Sequence, residues 1–98
     1  MNTSSIRIIG GRHKSYRIVF KASSALRPTT DRAKETLFSW LQFELEDKSC
    51  LDLFAGTGSL GLEALSRGAQ HVTFLEREKN LYKNIIKNIS HLGYENKI

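Results

Sequence analysis

At 98 residues, 40% of them hydrophobic and only one a proline, the chain has room for one small folded domain and is too apolar for a disordered one. Its single cysteine, Cys50, excludes an internal disulfide, and His13, His71 and His91 stand apart without the spacing of a metal site. No secretory signal or membrane-spanning apolar run is visible, which points to the cytoplasm, and a formal charge of +5 suits a polyanionic partner without demanding one.

Met1–Ser5 is polar and is expected to fray. Two β-prone runs follow, Ile6–Ile9 and Tyr16–Phe20, with a turn signal at Gly10-Gly11 between them, so residues 1–25 read as a β-ribbon. Between Met1 and Thr30 lie six cations, Arg7, Arg12, Lys14, Arg17, Lys21 and Arg27, and no acid. Such segregation fits either a solvated edge strand whose charges discourage aggregation or an arm that contacts RNA phosphates, with Tyr16 and Phe20 to stack on bases; the second reading is preferred.

Residues 26–98 read as a second unit. Leu26 to Arg32 runs from a loop into a helix: Pro28 disfavours helix before it, Thr29 or Thr30 can cap, and Asp31 suits the positive end of the dipole. Ala33, Leu37, Phe38, Leu41 and Leu45 then fall on one helical face, with Trp40 and Phe43 widening it as core or interface. Cys50–Phe54 is a short buried strand in which Cys50 serves as a small apolar residue. Leu60, Leu62, Ala64 and Leu65 carry the next helix to a stop at Gly68, and His71–Leu75 is a second strand. Glu78 opens a last helix, with Leu81, Ile85, Ile89 and Leu92 on one stripe, Lys79, Lys83 and Lys87 on a solvated face, and Gly93 as the stop. Ribbon, helix, strand, helix, strand, helix is the opening of an α/β fold with a parallel sheet. Only two parallel strands are present, so the sheet is expected to be part of a larger one that continues past Ile98.

The organising stretch is Asp52 to Gly61. Gly56, Gly58 and Gly61 stand at G-x-G-x-x-G spacing, the first two allowing a tight turn and the third letting the following helix pack on its strand. Asp52 places a carboxylate inside the apolar strand just ahead of the turn, where it calls for a cationic or hydrogen-bonding partner. Glu76 ends the next strand, twenty residues after Gly56, where a carboxylate reaches ribose hydroxyls. A dinucleotide's pyrophosphate would be repelled by Asp52, whereas the sulfonium and amino groups of S-adenosylmethionine (SAM) would be attracted. Electrostatics therefore favours SAM, with a nicotinamide dinucleotide as the alternative.

Asp52-Leu53-Phe54-Ala55-Gly56-Thr57-Gly58-Ser59-Leu60-Gly61 resembles the first cofactor motif of class I SAM-dependent methyltransferases. Together with Ile6–Gly11, Leu26–Arg32, Glu35–Phe38 and Leu62–Gly68, it is similar more narrowly to the RsmD family, which methylates a guanine N2 in small-subunit (16S) ribosomal RNA. The resemblance implies a seven-stranded Rossmann-like sheet, of which this chain holds the first two parallel strands, plus the ribbon added for RNA contact. By the same resemblance, Asp52, Phe54, Gly56, Thr57, Gly58 and Gly61 line the SAM site, Glu76 holds the ribose, and Thr29, Thr30 and Arg32 lie close by. The implied partner is ribosomal RNA or the assembling small subunit, with no metal and no membrane. The family's catalytic Asn/Asp-Pro-Pro-Phe/Tyr has no counterpart, since Pro28 is the only proline, and the motif is expected to lie beyond Ile98. The chain is thus expected to be the N-terminal, cofactor-binding half of such an enzyme and inactive alone. A non-catalytic RNA-binding fragment and a nicotinamide-dependent oxidoreductase are the alternatives.

Overall fold

The computed structural model describes residues 3–21, 30–53 and 55–95. Within them the order is β1 (Thr3–Arg7), β2 (Arg17–Lys21), α1 (Asp31–Trp40), β3 (Ser49–Leu53), α2 (Ser59–Ser66), β4 (His71–Leu75) and α3 (Lys79–Leu92). This is the α/β order expected from the sequence. β3 and β4 pair in parallel, with Cys50 beside Val72 and Asp52 beside Phe74. Parallel neighbours need a crossover, and α2 supplies it. Neither strand has a further neighbour among the described residues.

One face of this small sheet is covered and, among the described residues, the other is bare. On the covered face the Phe74 ring occupies the space a Gly61 Cβ would need, so glycine alone lets α2 settle onto β4. On the other face Leu51 and Leu75 remain 60% and 48% exposed. A parallel sheet is normally covered on both sides, so this is the physical content of an unfinished sheet.

β1 and β2 form an antiparallel ribbon in which Thr3 faces Lys21 and Arg7 faces Arg17. Thr3–Ser5 are therefore paired rather than frayed. Alternation explains why: Ile18 and Phe20 turn inward and are buried, while Ser5, Arg7, Arg17 and Val19 turn outward. Beyond the strands the ladder continues through Ile8 N–H to Tyr16 O and Ser15 N–H to Ile8 O.

The ribbon lies on the helices as a third layer, and a buried carboxylate fastens it. Glu63 accepts from the Ile9 and Gly10 N–H groups at 2.9 Å each and from Arg67 Nε at 2.8 Å. Lys34 Nζ stands 3.5 Å from Glu63, both side chains fully buried, and donates to Arg7 O. Burial pulls the Lys34 ammonium below its ordinary pKa, and Glu63 opposes that pull. The Arg67 guanidinium also lies over the Phe38 ring, which brings α1 into the same network. At the ribbon's tip, Arg12 N–H donates to Ser66 O, and a Cβ on Gly11 would collide with that carbonyl. Pressed by the sheet on one side and the ribbon on the other, α2 is buried nearly all round, which is why it carries so few charges.

Helix ends follow the sequence chemistry. Thr30 caps α1 through Oγ1 to Ala33 N–H, Glu78 caps α3 through its carboxylate to Asn80 N–H, and Gly93 closes α3 in the left-handed region. The apolar face of α1 departs from expectation. Ala33 is exposed and Lys34 takes the inner position, because the Glu63 carboxylate needs a cation there. α1 ends at Trp40, and Leu45 reaches the core from the following turn. Trp40 and Phe43, 76% and 89% exposed, are not core residues.

This packing sets the cost of substitution at two places. Glu63→Gln strands the Lys34 charge and costs on the order of 3–5 kcal/mol in urea unfolding. Lys34→Met leaves Glu63 its other donors and costs less than half as much. Gly11→Ala combines left-handed strain with a backbone collision and is expected to cost about 2–4 kcal/mol. Gly93→Ala, strained in the same way but facing open space, should cost only about 1 kcal/mol.

Candidate cofactor site

The chain leaves β3 through Ala55, whose N–H still bonds Leu75 O at 2.8 Å, and then turns at once. Gly56 and Gly58 both adopt left-handed backbone, φ 58° and 82°, a conformation glycine enters without a Cβ penalty. Thr57 is buried, and its Oγ1 accepts from Ser59 N–H at 3.2 Å, tying the turn to the first residue of α2. The Ser59 hydroxyl, also buried, has no hydrogen-bond partner among the described residues.

Two carboxylates bracket this turn. Asp52 Oδ2 accepts from Gly61 N–H at 3.1 Å, one of the otherwise unpaired donors in the first turn of α2. Among the described residues no Lys or Arg stands within ion-pair distance of it. Burial raises the Asp52 pKa, the Gly61 bond opposes the rise, and the charge of Glu76 adds to it. Glu76 clamps two elements: Oε1 accepts from Gly56 N–H and Oε2 from Glu78 N–H, each at 2.7 Å. Each of its oxygens keeps a second lone pair for a ligand donor. The expected hydrogen-bonding partner of Asp52 is therefore present, and no cationic one is found among the described residues.

The site residues expected from the sequence divide clearly. Asp52, Gly56, Thr57, Gly58, Gly61 and Glu76 converge on the turn. Thr30 is engaged in capping α1, and Arg32 is exposed on that helix, with no hydrogen bond to the turn among the described residues. Thr29, Phe54 and Arg27 lie outside the described residues, as does the Lys21 side chain. Ile98, past which the catalytic motif is expected, also lies outside them, so the described residues end at Glu95 with no catalytic group placed. Cys50 packs against the core, and burial pushes its thiol pKa up, so it is an apolar filler as expected.

Among the described residues, the ribbon's basic side chains are engaged away from the turn. Arg12 is fastened at the C-terminal end of α2, roughly 10 Å along the helix from the glycine turn at its start. Lys14 is exposed on the same tip. Arg7 and Arg17 face each other across the ribbon, Arg7 paired with Asp31 at 3.2 Å and Arg17 bonded to Ser5 Oγ. Tyr16 and Phe20 are unavailable for stacking on bases. Phe20 is buried, and the Tyr16 hydroxyl donates to Asn88 Oδ1 at 2.6 Å. Their place in the strand alternation, inward rather than outward, is the reason. Sequence reasoning missed the Ser59 hydroxyl and the donors around Glu63; a lone acid among Leu62, Ala64 and Leu65 was the available signal for the latter.

Residues 6–98 match the protein family described as Conserved hypothetical protein 95. The chain belongs to this RsmD-type family. It is 48% identical over 90 residues to the ribosomal RNA small subunit methyltransferase D of Escherichia coli K12, covering 92% of this chain and 46% of that protein. To the Haemophilus influenzae protein of the same name it is 49% identical over 87 residues, covering 89% and 45%. The solved Escherichia coli structure of yhhF, described as a methyltransferase, superposes with a TM-score of 0.83 at 43% identity, covering 95% of this chain and 50% of that one. The chain thus spans about half the length of these relatives. Because the RsmD-type match runs from Ile6 to Ile98, it takes in the ribbon as well as the turn. Among the described residues no helix is long and apolar enough to cross a membrane.

For this RsmD-type turn the pH dependence has a definite sign. A folded-state pKa raised above the unfolded value means that ionising Asp52 subtracts stability as pH climbs from about 3.9, the unfolded carboxylate value, through the folded one. Asp52→Asn removes that loss. In the absence of ligand the variant should gain on the parent across this window and hold a constant advantage above it, read from melting temperatures between pH 3.5 and 8. A variant that loses ground as pH rises would contradict the assignment.

Proposed function

We propose that this chain is the SAM-binding part of an RNA methyltransferase whose full-length form transfers a methyl group to guanine N2 of small-subunit ribosomal RNA. The observation that carries the cofactor is the pair of carboxylates bracketing a glycine turn, one of them half-buried, raised in pKa and without a cation among the described residues. A dinucleotide pyrophosphate would add negative charge beside two acids. A ligand bearing positive charge relieves both the desolvation of Asp52 and its repulsion by Glu76. SAM, when bound, supplies a methyl group on a cationic sulfur.

The residues present fit that group. Asp52 offers its carboxylate toward positive charge, Glu76 has lone pairs left for ribose hydroxyls, and the left-handed Gly56 and Gly58 make the tight turn between them, Gly58 lying against Ile85 of α3. The unpartnered Ser59 hydroxyl adds a polar group at the same turn. The RNA substrate is supported by the names of the relatives and by the acid-free ribbon, whose Arg7, Arg12, Lys14, Arg17, Lys21 and Arg27 are assigned to RNA contact. Residues 1–25 and 26–98 are assigned as the RNA-contacting ribbon and the cofactor-binding unit. Since no Pro-Pro pair stands between Met1 and Ile98, the catalytic motif is assigned to the part of the full-length form beyond Ile98. The chain by itself is then expected to bind SAM weakly and not to transfer its methyl group.

Isothermal titration of the chain with SAM and, separately, with NAD tests this reading. SAM binding that weakens by about 10- to 100-fold in Asp52→Asn, the loss of one charge-assisted contact, is the expected result. Binding of NAD without SAM, or SAM binding indifferent to Asp52, would overturn it.

A further inference from the structure

The α3 segment Lys79–Leu92 contains three lysines and no acid. At 100° per residue, its side chains sort into four rows spaced by four residues. Ile85 and Ile89 form the buried row. Asn84 and Asn88 form the next, and both are used by the ribbon: Asn84 Nδ2 donates to Val19 O at 2.9 Å and Asn88 Oδ1 accepts from the Tyr16 hydroxyl at 2.6 Å. Lys79, Lys83 and Lys87 form the third row, all exposed and nearly opposite the core row. Tyr82 and Ile86, 54% and 42% exposed, flank the lysines on the far side.

This order fixes which way the lysines look. With the core row turned in and the asparagine row turned sideways onto β2, the lysine row faces out beside the ribbon's outward face, where Arg17 and Arg7 are exposed. Both elements thus present cations on the side away from the core, with Asp31 beside Arg7 and the capping Glu78 just before Lys79 as acids at its margins. Successive lysines climb about 6 Å, and the row starts three residues after Glu76, at the cofactor turn, and leads away from it. From the sequence these lysines read as an ordinary solvated face. Their alignment with the ribbon, invisible in one dimension, changes that reading.

We infer that the lysine row of α3, together with Arg17 and Arg7 of the ribbon, is a track for an RNA backbone, and that Tyr82 is the aromatic surface on which a base stacks. The inference rests on the RNA substrate proposed above and locates its contact. It moves the stacking role from Tyr16 and Phe20, which are committed to packing, to an aromatic residue that is open. An RNA is favoured over an anionic lipid surface because the row is flanked by amides on one side and only two apolar side chains on the other, too little to insert into a bilayer.

The test is fluorescence anisotropy of the 98-residue chain with a labelled small-subunit ribosomal RNA hairpin, between 50 and 200 mM salt. Replacing Lys79, Lys83 and Lys87 together by Gln should weaken binding at least tenfold and reduce the slope of log affinity against log salt by about 2–3. Tyr82→Ala should cost about tenfold with the slope unchanged. Lys83→Gln should reduce the slope by about 1, whereas Lys48→Gln, the same charge loss away from the lysine row, should leave it alone. Equal effects of Lys83→Gln and Lys48→Gln, no RNA binding by the parent chain, or lysine-dependent binding to phosphatidylserine vesicles in place of RNA would each overturn the inference. SAM titration of the triple variant separates the two proposals: unchanged SAM affinity with lost RNA binding supports the track, and lysine-dependent RNA binding without any SAM binding leaves the track standing while the cofactor reading fails.

Discussion

A carboxylate taken out of water needs donors, and Glu63 has four: two ribbon amides, Arg67 and Lys34. Around that group the ribbon, α1 and α2 are joined, and the basic surface depends on the joint because it holds the ribbon beside α3. Such a node contributes little net stability compared with an apolar replacement, since desolvation offsets most of the attraction. What it contributes is position. A purely apolar contact would let the ribbon slide along α2, whereas two amides aimed at one carboxylate allow a single placement.

Asp52 is the counterpart of Glu63. It too is drawn from water, but with one backbone donor and no cation among the described residues. One acid is saturated and the other is not, within a single βαβ unit, and this contrast separates structure from function here. A saturated carboxylate holds the chain together. An unsaturated one beside the glycine turn is the feature on which the proposed binding of a positively charged ligand rests.

Much of this was legible in one dimension. The glycine spacing, the capping by Thr30 and Glu78, the stop at Gly93 and the pairing of Asp52 with Glu76 around the turn are local, set by residues close in sequence or by strand length. What escaped is what depends on layers. Ala33 reads as a core residue until a third layer brings Glu63 against α1 and Lys34 takes the inner position. Tyr16 and Phe20 read as open aromatics until the ribbon's alternation is given an inside. Trp40 and Phe43 read as apolar cover, yet the described residues leave them uncovered, as they do Leu51 and Leu75 on the bare sheet face. The first two misses concern surfaces whose partner lies far along the chain.

The most direct measurement is the titration of the Asp52 side-chain carboxyl by carbon-13 NMR, in the free chain and with saturating SAM. The predicted result is a carboxyl pKa raised from its ordinary value in the free chain that falls when SAM binds, because positive charge then stands beside it. An Asp52 carboxyl that titrates identically with and without SAM, while the turn amides respond to NAD, would contradict it.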